Sequence, residues 1–310
     1  MLNLAALVGP TAAGKTDISI ALALRLNGEI ISCDSMQVYK GMDIGTAKAG
    51  KYEMSVVPHH MIDIVDPDYN FTVADYQKMT KQLIKDINSR GRIPILVGGT
   101  GLYYQAVVDD YEFFPVEHQI NTRNKWETIC NQKGIDYLYK CLQEVDPKYA
   151  GLISSHDRKR IIRALEVFDL TGQPFSLLQV KNKDRYNLAV AGICLDRPIL
   201  YSRIEERVDK MLDSGLIQEV ELLRSKGYGL ELKSMQSLGY KQVFCYLEGM
   251  VTYKEMIAEI KRETRRFAKR QFTWFNKDKR ISWFDPNKYP HKDEFIKNIS
   301  DYIEGQLYRM

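Results

Sequence analysis

The apolar positions of this chain follow two rhythms that change along its length. Near the start, Leu4-Ala5-Ala6-Leu7-Val8 is a short continuous apolar run, the length of a buried strand. Residues 29–33 and Ile93-Pro94-Ile95-Leu96-Val97 repeat it, each followed by glycine, polar residues or both. Asp17 to Leu26 and Phe71 to Asn88 carry helical spacing instead. In the second of these Thr72 is placed as a cap, with apolar positions at Val73, Tyr76, Met79, Leu83, Ile84 and Ile87. Alternating strands and helices predict a parallel α/β domain over residues 1–112, with ligands at the carboxyl ends of its strands.

From about Phe113 to Tyr186 the strand signal fades and helical periodicity takes over. Gly134 and the Asp146-Pro147 step punctuate this stretch, and Thr171-Gly172-Gln173-Pro174 ends it. Residues 113–186 therefore read as an all-helical insertion. Leu188 to Leu195 returns to strand character and is expected to rejoin the first sheet. Helices follow at about 198–214, 216–226, 235–247 and 252–277, so residues 187–310 read as the rest of the core with C-terminal helices. The expected fold is α/β, a P-loop-type parallel sheet flanked by helices, with an all-helical insertion domain.

Composition adds bounds. At 310 residues the chain exceeds the size at which one core usually keeps growing, which suits a core plus an insertion. The net charge of +4 permits a nucleic-acid partner without demanding one, so the distribution of charge has to decide. Cys33, Cys130, Cys141, Cys194 and Cys245 include no Cys-x-x-Cys pair. Their odd number argues against a disulfide framework, and a cytoplasmic protein is expected. A strand and its following loop occupy the place of a signal peptide, and no apolar run approaches the ~18 residues of a membrane span. The expectation is a monomer with no membrane partner.

The strongest chemical signal is Gly9-Pro10-Thr11-Ala12-Ala13-Gly14-Lys15-Thr16, a complete G-x-x-x-x-G-K-T loop between a strand and a helix. Its backbone N–H groups and the helix N-terminus form an anion cradle, Lys15 adds charge, and the Thr16 hydroxyl is a candidate ligand for Mg²⁺. The second strand ends in Cys33-Asp34-Ser35. That places Asp34 near the loop, where a carboxylate can bind magnesium, orient substrate, act as a base or simply cap a turn. An absence matters equally. Ile93 to Val97 runs into Gly98-Gly99-Thr100-Gly101 with no carboxylate, whereas nucleoside triphosphatases usually hold magnesium with an acid there. Gly98, Gly99 and Thr100 instead suggest a second cradle of backbone and hydroxyl groups. Arg203 and Arg207 lie four apart and share a helix face, facing either nearby acids or the phosphate site. His59 and His60 have no metal-ligand spacing and read as structural.

Basic residues gather in two places. Arg158-Lys159-Arg160-Ile161-Ile162-Arg163 opens a helix of the insertion. Lys261 to Arg280 holds nine Lys/Arg against two acids, interleaved with Phe267, Phe272, Trp274 and Phe275. Such helices are either solvated, with their aromatics in the core, or contact a looped or single-stranded nucleic acid.

Together these segments resemble one family, the tRNA dimethylallyltransferases (tRNA isopentenyltransferases), over nearly the whole chain. The resemblance is carried by Gly9–Thr16, Asp34–Tyr39, Asp43–Lys48, Pro58-His59-His60, Gly98–Tyr103, Arg160–Val167, Gln236–Tyr240 and Thr264–Phe275. It implies transfer of a dimethylallyl group from dimethylallyl diphosphate to the N6 amine of adenosine 37 in tRNA, 3′ of the anticodon. It further implies that Gly9 to Thr16 bind a diphosphate, and that Asp34 accepts a proton from the amine. Thr100, Arg207, Lys15, Thr16 and magnesium would steady the departing diphosphate.

The implied contacts to the tRNA anticodon stem-loop are Asp34, Ser35, Met36, Gln37, Thr100, Arg123, Lys159, Arg160, Ile161, Ile162 and Arg163. Gln236, Ser237, Leu238, Gly239, Tyr240, Lys241, Lys269, Arg270, Gln271, Phe272, Thr273, Trp274, Phe275 and Asn276 complete the set. The target base would swing into a channel between core and insertion. Three rivals stand beside this reading: an adenylate isopentenyltransferase acting on free nucleotides, a small-molecule P-loop kinase, and an RNA-binding GTPase-like module. A free nucleotide needs neither the basic helix nor the insertion. The GTPase-like reading lacks a second magnesium carboxylate and a guanine-reading N-K-x-D.

Overall fold

The computed structural model describes residues 1–113, 120–178, 182 and 184–308. Residues 114–119, 179–181 and 183, within the expected insertion, lie outside the described residues, as do 309–310. The chain forms two compact units, Met1–Val108 with Asp184–Met310, and Asp109–Lys183.

The first unit is built on six strands: β1 (Leu2–Val8), β2 (Gly28–Ser32), β3 (His59–His60), β4 (Ile93–Gly98), β5 (Tyr186–Ile193) and β6 (Ile281–Phe284). Their order is β3-β2-β4-β1-β5-β6, and every pairing is parallel. The chain first builds outward on one side of β1, returns through β4, and only then adds β5 and β6 on the other side. The carboxyl end of β1 is thus a topological switch point, where an open α/β sheet has its crevice.

Helices α1 (Lys15–Arg25), α2 (Lys51–Val56), α3 (Val73–Ser89) and α4 (Gly101–Val108) belong to the first half of this unit. The second unit contributes α5 (Ile120–Lys133), α6 (Ile135–Val145), α7 (Pro147–Ala150), α8 (Arg158–Thr171) and α9 (Phe175–Leu178). Then come α10 (Arg197–Asp213), α11 (Leu216–Ser225), α12 (Tyr240–Leu247), α13 (Tyr253–Phe275) and α14 (Lys292–Leu307). Thr72 caps α3 as its sequence promises, accepting the Asp75 N–H while the Asp75 carboxylate accepts the Thr72 N–H.

Alternation along the strands divides the core in two. Leu4, Ala6 and Val8 of β1 pack with Ile31, Leu96, α3, α4 and α11 to α13. Ala5 and Leu7 face the other way, with Ile30, Ile95, Ala189 and Ala191, against α1 and α14. The helical unit has its own core, in which Leu138, Leu142, Ile161, Ile162 and Leu165 are fully or almost fully buried. Asp146 organises its central turn, accepting the Tyr149 N–H at 2.9 Å and the Ser176 N–H at 2.7 Å.

Two strands escape the sequence pattern. β3 has two residues and β6 four, and both are edge strands, too short for a periodic signal. The helix expected at 235–247 starts only at Tyr240. Residues 235–239 instead form a turn in which the Gly239 N–H donates to Gln242 Oε1 at 2.9 Å.

Candidate active site

The loop after β1 meets the turn after β4 at the switch point. Glycine is required there. A side chain on Gly98 would begin 2.1 Å from the carbonyl oxygen of Cys33, closer than any real contact, so only glycine lets this turn press against the end of β2. The contact is locked by hydrogen bonds. The Thr100 N–H donates to Cys33 O at 3.1 Å, and the Ser35 N–H donates to Thr100 Oγ1 at 3.1 Å. Asp34 lies between these two bonds. Its Oδ1 accepts the Met36 N–H at 2.9 Å, so the capping role open to it in sequence takes only one oxygen. Among the described residues Oδ2 has no protein donor.

Two cavities adjoin this junction. The smaller, about 130 Å³, is lined by Thr11, Ala12, Gly14, Lys15 and Thr16 of the loop, by Gly98 and Gly99, and by Ile30, Val97, Ile62 and Ala47. The larger, about 540 Å³, is lined by Ser35, Met36, Thr100, Gln236 to Gly239, Lys241 and Arg270. Thr11, Asp34, Thr46, Arg207 and Phe267 line both. One cavity therefore has an anion cradle with an apolar flank, the other has a polar rim on which Lys233, Lys241 and Arg270 stand beside Glu259 and Glu263, and a carboxylate and a guanidinium stand at their shared wall.

Charge is concentrated there. Lys15 Nζ donates to Gly9 O at 3.0 Å and Pro10 O at 2.7 Å, so the ammonium is folded back into its own loop. Burial and the Arg207 guanidinium bring its pKa down from 10.5 to about 7, against the opposing pull of Asp34 and Cys33. Burial also lowers Arg207, with Asp34 pulling the other way. Two crowded cations around one carboxylate form a site short of negative charge, suited to an anionic ligand. Arg203 approaches too, its Nη1 lying 3.9 Å from where a side chain on Gly14 would begin. Arg203 and Arg207 line a cleft with Ala12, Gly14 and Thr16 of the loop and with the acids Asp17 and Glu206.

The wall of the smaller cavity is held from behind. Gln37 accepts from Ser32 Oγ at 2.7 Å and donates to Thr46 O and Ala47 O at 3.2 and 3.3 Å. Glu219 accepts the N–H groups of Asp43, Ile44 and Gly45 at 3.1, 2.8 and 3.3 Å and the Tyr240 hydroxyl at 2.5 Å. Lys48 bonds Asp43 and Asp63 at 2.5 Å each. Residues 43–48 are thus a rigid strap, and Tyr240, buried with its hydroxyl occupied, belongs to its support.

The other sequence candidates sort by placement. Gln271 is buried and both ends of its amide bond backbone groups. Phe275 is buried against Tyr104, and Trp274 packs on Gly101. Lys269, Phe272, Thr273 and Asn276 are exposed. In the helical unit Ile161 and Ile162 are core, while Arg123, Lys159 and Arg160 are exposed and Arg163 pairs with Glu166 at 2.9 Å.

Sequence reasoning missed Phe267, whose ring lines both cavities, and His59, which lines the smaller one. Phe267 had a signal: Ile260, Thr264, Phe267, Gln271 and Trp274 recur at helical spacing on one face. No cluster of three or more His, Cys, Asp or Glu able to hold a metal occurs among the described residues.

A profile of the IPP transferase family matches residues 37–278. The chain belongs to that family. It is 58% identical over 307 residues to a tRNA dimethylallyltransferase of Syntrophomonas wolfei, covering 99% of both chains. Against the protein of that name in Carboxydothermus hydrogenoformans it is 51% identical, over 96% of this chain and 94% of the other. The solved tRNA isopentenylpyrophosphate transferase of Bacillus halodurans superposes with a TM-score of 0.76 at 45% identity, over 100% of this chain and 98% of that one. A eukaryotic dimethylallyltransferase solved acting on tRNA gives a TM-score of 0.78 at 29% identity, over 92% of this chain and 74% of that one. No described helix of this member is long and apolar enough to cross a membrane.

Proposed function

We propose that this IPP transferase moves a dimethylallyl group from dimethylallyl diphosphate to N6 of adenosine 37 in tRNA, releasing diphosphate. The observation that carries the reading is the shared wall of the two cavities, where Asp34 and Arg207 stand between an anion cradle and a wider opening lined by residues of both charges.

In this reading the diphosphate sits on Gly9 to Thr16, and its charge meets Lys15, Arg203 and Arg207. The N6 lone pair forms a bond to C1 of the donor while the C1–O bond breaks and its electron pair leaves with diphosphate. The amine proton passes to Asp34, whose Oδ2 carries no protein hydrogen bond. Arg207 and the loop N–H groups take the charge that develops on the leaving oxygen. Phe267 offers an apolar plate to both the prenyl group and the base. Thr100 lines the larger cavity and fixes the Ser35 turn beside Asp34.

Magnesium fits this donor set. The Thr16 side chain lines the cavity, and Mg²⁺ is commonly held by one or two protein oxygens together with phosphate oxygens and water. Thr16 would hold it, and its charge would ease departure of the diphosphate.

On the RNA side we assign Ser35, Met36, Gln236 to Gly239, Lys241 and Arg270 around the larger cavity, with Lys269, Phe272, Thr273 and Asn276 outside it and Arg123, Lys159 and Arg160 on the helical unit. Gln37, Tyr240, Gln271, Trp274 and Phe275 serve as support. The test is incubation with tRNA and labelled dimethylallyl diphosphate, alongside labelled ATP and free AMP. Transfer of the prenyl label to tRNA alone supports the proposal. Label in AMP, or phosphate transfer from ATP, would replace it with one of the rival activities.

A further inference from the structure

Helix α13 reaches both sides of the site through adjacent residues. Phe267 and Arg270 line the larger cavity, and the next residue, Gln271, turns toward the smaller one. Gln271 is polar yet only 6% exposed, a costly arrangement unless its amide is fully used. It is used at both ends. Oε1 accepts the Thr11 N–H at 2.8 Å, and Nε2 donates to the carbonyl of Gly99 at 3.0 Å.

Thr11 belongs to the loop after β1 and Gly99 to the turn after β4. One carboxamide therefore sets the spacing of the two cradles. The fit is close: a side chain on Gly99 would begin 2.1 Å from Nε2. The chemistry is also specific. The bridge needs an acceptor facing an N–H and a donor facing a carbonyl, which a glutamate or an apolar side chain cannot both supply.

We propose that Gln271 is a positioning residue for the prenyl donor. It holds the phosphate loop against the Gly99 turn at the width a diphosphate needs, and it does so from the helix that lines the acceptor cavity. The proposal rests on the donor and acceptor assignment made above. Gln271 acts through Thr11 and Gly99.

Two variants separate this role from a general structural one. Gln271→Met keeps approximate length and loses both bonds, and Gln271→Glu keeps the acceptor but loses the donor and brings negative charge to an anion site. The readouts are inorganic diphosphate affinity by calorimetry, KM for dimethylallyl diphosphate, kcat, tRNA affinity and melting temperature. In Gln271→Met, diphosphate affinity is expected to fall about tenfold or more and KM for the donor to rise in step, with tRNA affinity within about twofold of wild type. Gln271→Glu is expected to be the worse of the two, because its charge opposes the ligand.

Unchanged diphosphate affinity in both variants would overturn the proposal. So would loss of tRNA affinity with diphosphate binding intact, which would make Gln271 an RNA contact, or an equal fall in both affinities, which would mark a purely structural residue. Wild-type protein that binds diphosphate but prenylates no tRNA would overturn the function reading instead, leaving the diphosphate readout to judge Gln271.

Discussion

Single residues carry most of the chemistry, and their roles separate cleanly by measurement. Asp34 has one carboxylate oxygen tied to the Met36 N–H and the other without a protein donor. Asp34→Asn keeps the turn and removes the base, so turnover should fall by about 10²–10⁴-fold with tRNA affinity preserved. Near-normal turnover would remove Asp34 from the role. Arg207→Ala should slow single-turnover prenylation by about 10²–10³-fold, in line with losing a donor to developing oxyanion charge. A defect confined to tRNA affinity would instead move Arg207 to the RNA surface. At this scale the sequence was informative where chemistry is local: Gly9 to Thr16 and Asp34 sit where strand-end reasoning puts them. It named Phe267 among the aromatics of the basic helix without placing it at the site, and gave Gln271 only as an implied tRNA contact. Spacing alone does not tell which face of this helix meets the cavities; the fold does.

At the scale of elements, the strands with a sustained apolar run were legible and the edge strands were not. β3 is the sharpest case. Its two residues pair with β2, and His60 then meets Glu29, the buried acid of β2, at 2.7 Å. Arg92 joins at 3.0 Å, and Arg90 pairs with Glu29 as well. Nothing in the spacing of His60, Arg90 and Arg92 announces this cluster, because it is assembled across strands. Burial alone would raise the Glu29 carboxyl, but hydrogen bonds from Arg90 and His60, with their charges, outweigh it and bring the pKa from 4.5 down to about 2. A depressed carboxylate stabilises the fold fully above its unfolded pKa and loses that contribution as pH falls through the folded value. Urea midpoints of wild type should therefore drop between about pH 4.5 and pH 2 more steeply than those of Glu29→Gln. Parallel curves would show that the cluster contributes nothing to acid stability.

For the whole molecule, the question is whether the basic residues serve a long anionic partner. The total charge of +4 says little, and distribution says more. Lys269 and Arg270 are consecutive and both exposed on α13, the helix whose Gln271 bonds the loop after β1. If both meet tRNA phosphates, replacing them together by Ala should flatten the slope of log affinity against log salt by about 1.4 units, roughly 0.7 for each phosphate contact, with diphosphate binding unchanged. Identical slopes would mean that they only solvate α13.

The most direct measurement of the central claim uses one tRNA in two forms, differing only in whether position 37 is adenosine or guanosine. With labelled dimethylallyl diphosphate, label is expected in the adenosine form alone, recovered after nuclease digestion as a single N6-prenylated adenosine. Equal labelling of both forms, or label on another nucleotide, would contradict it.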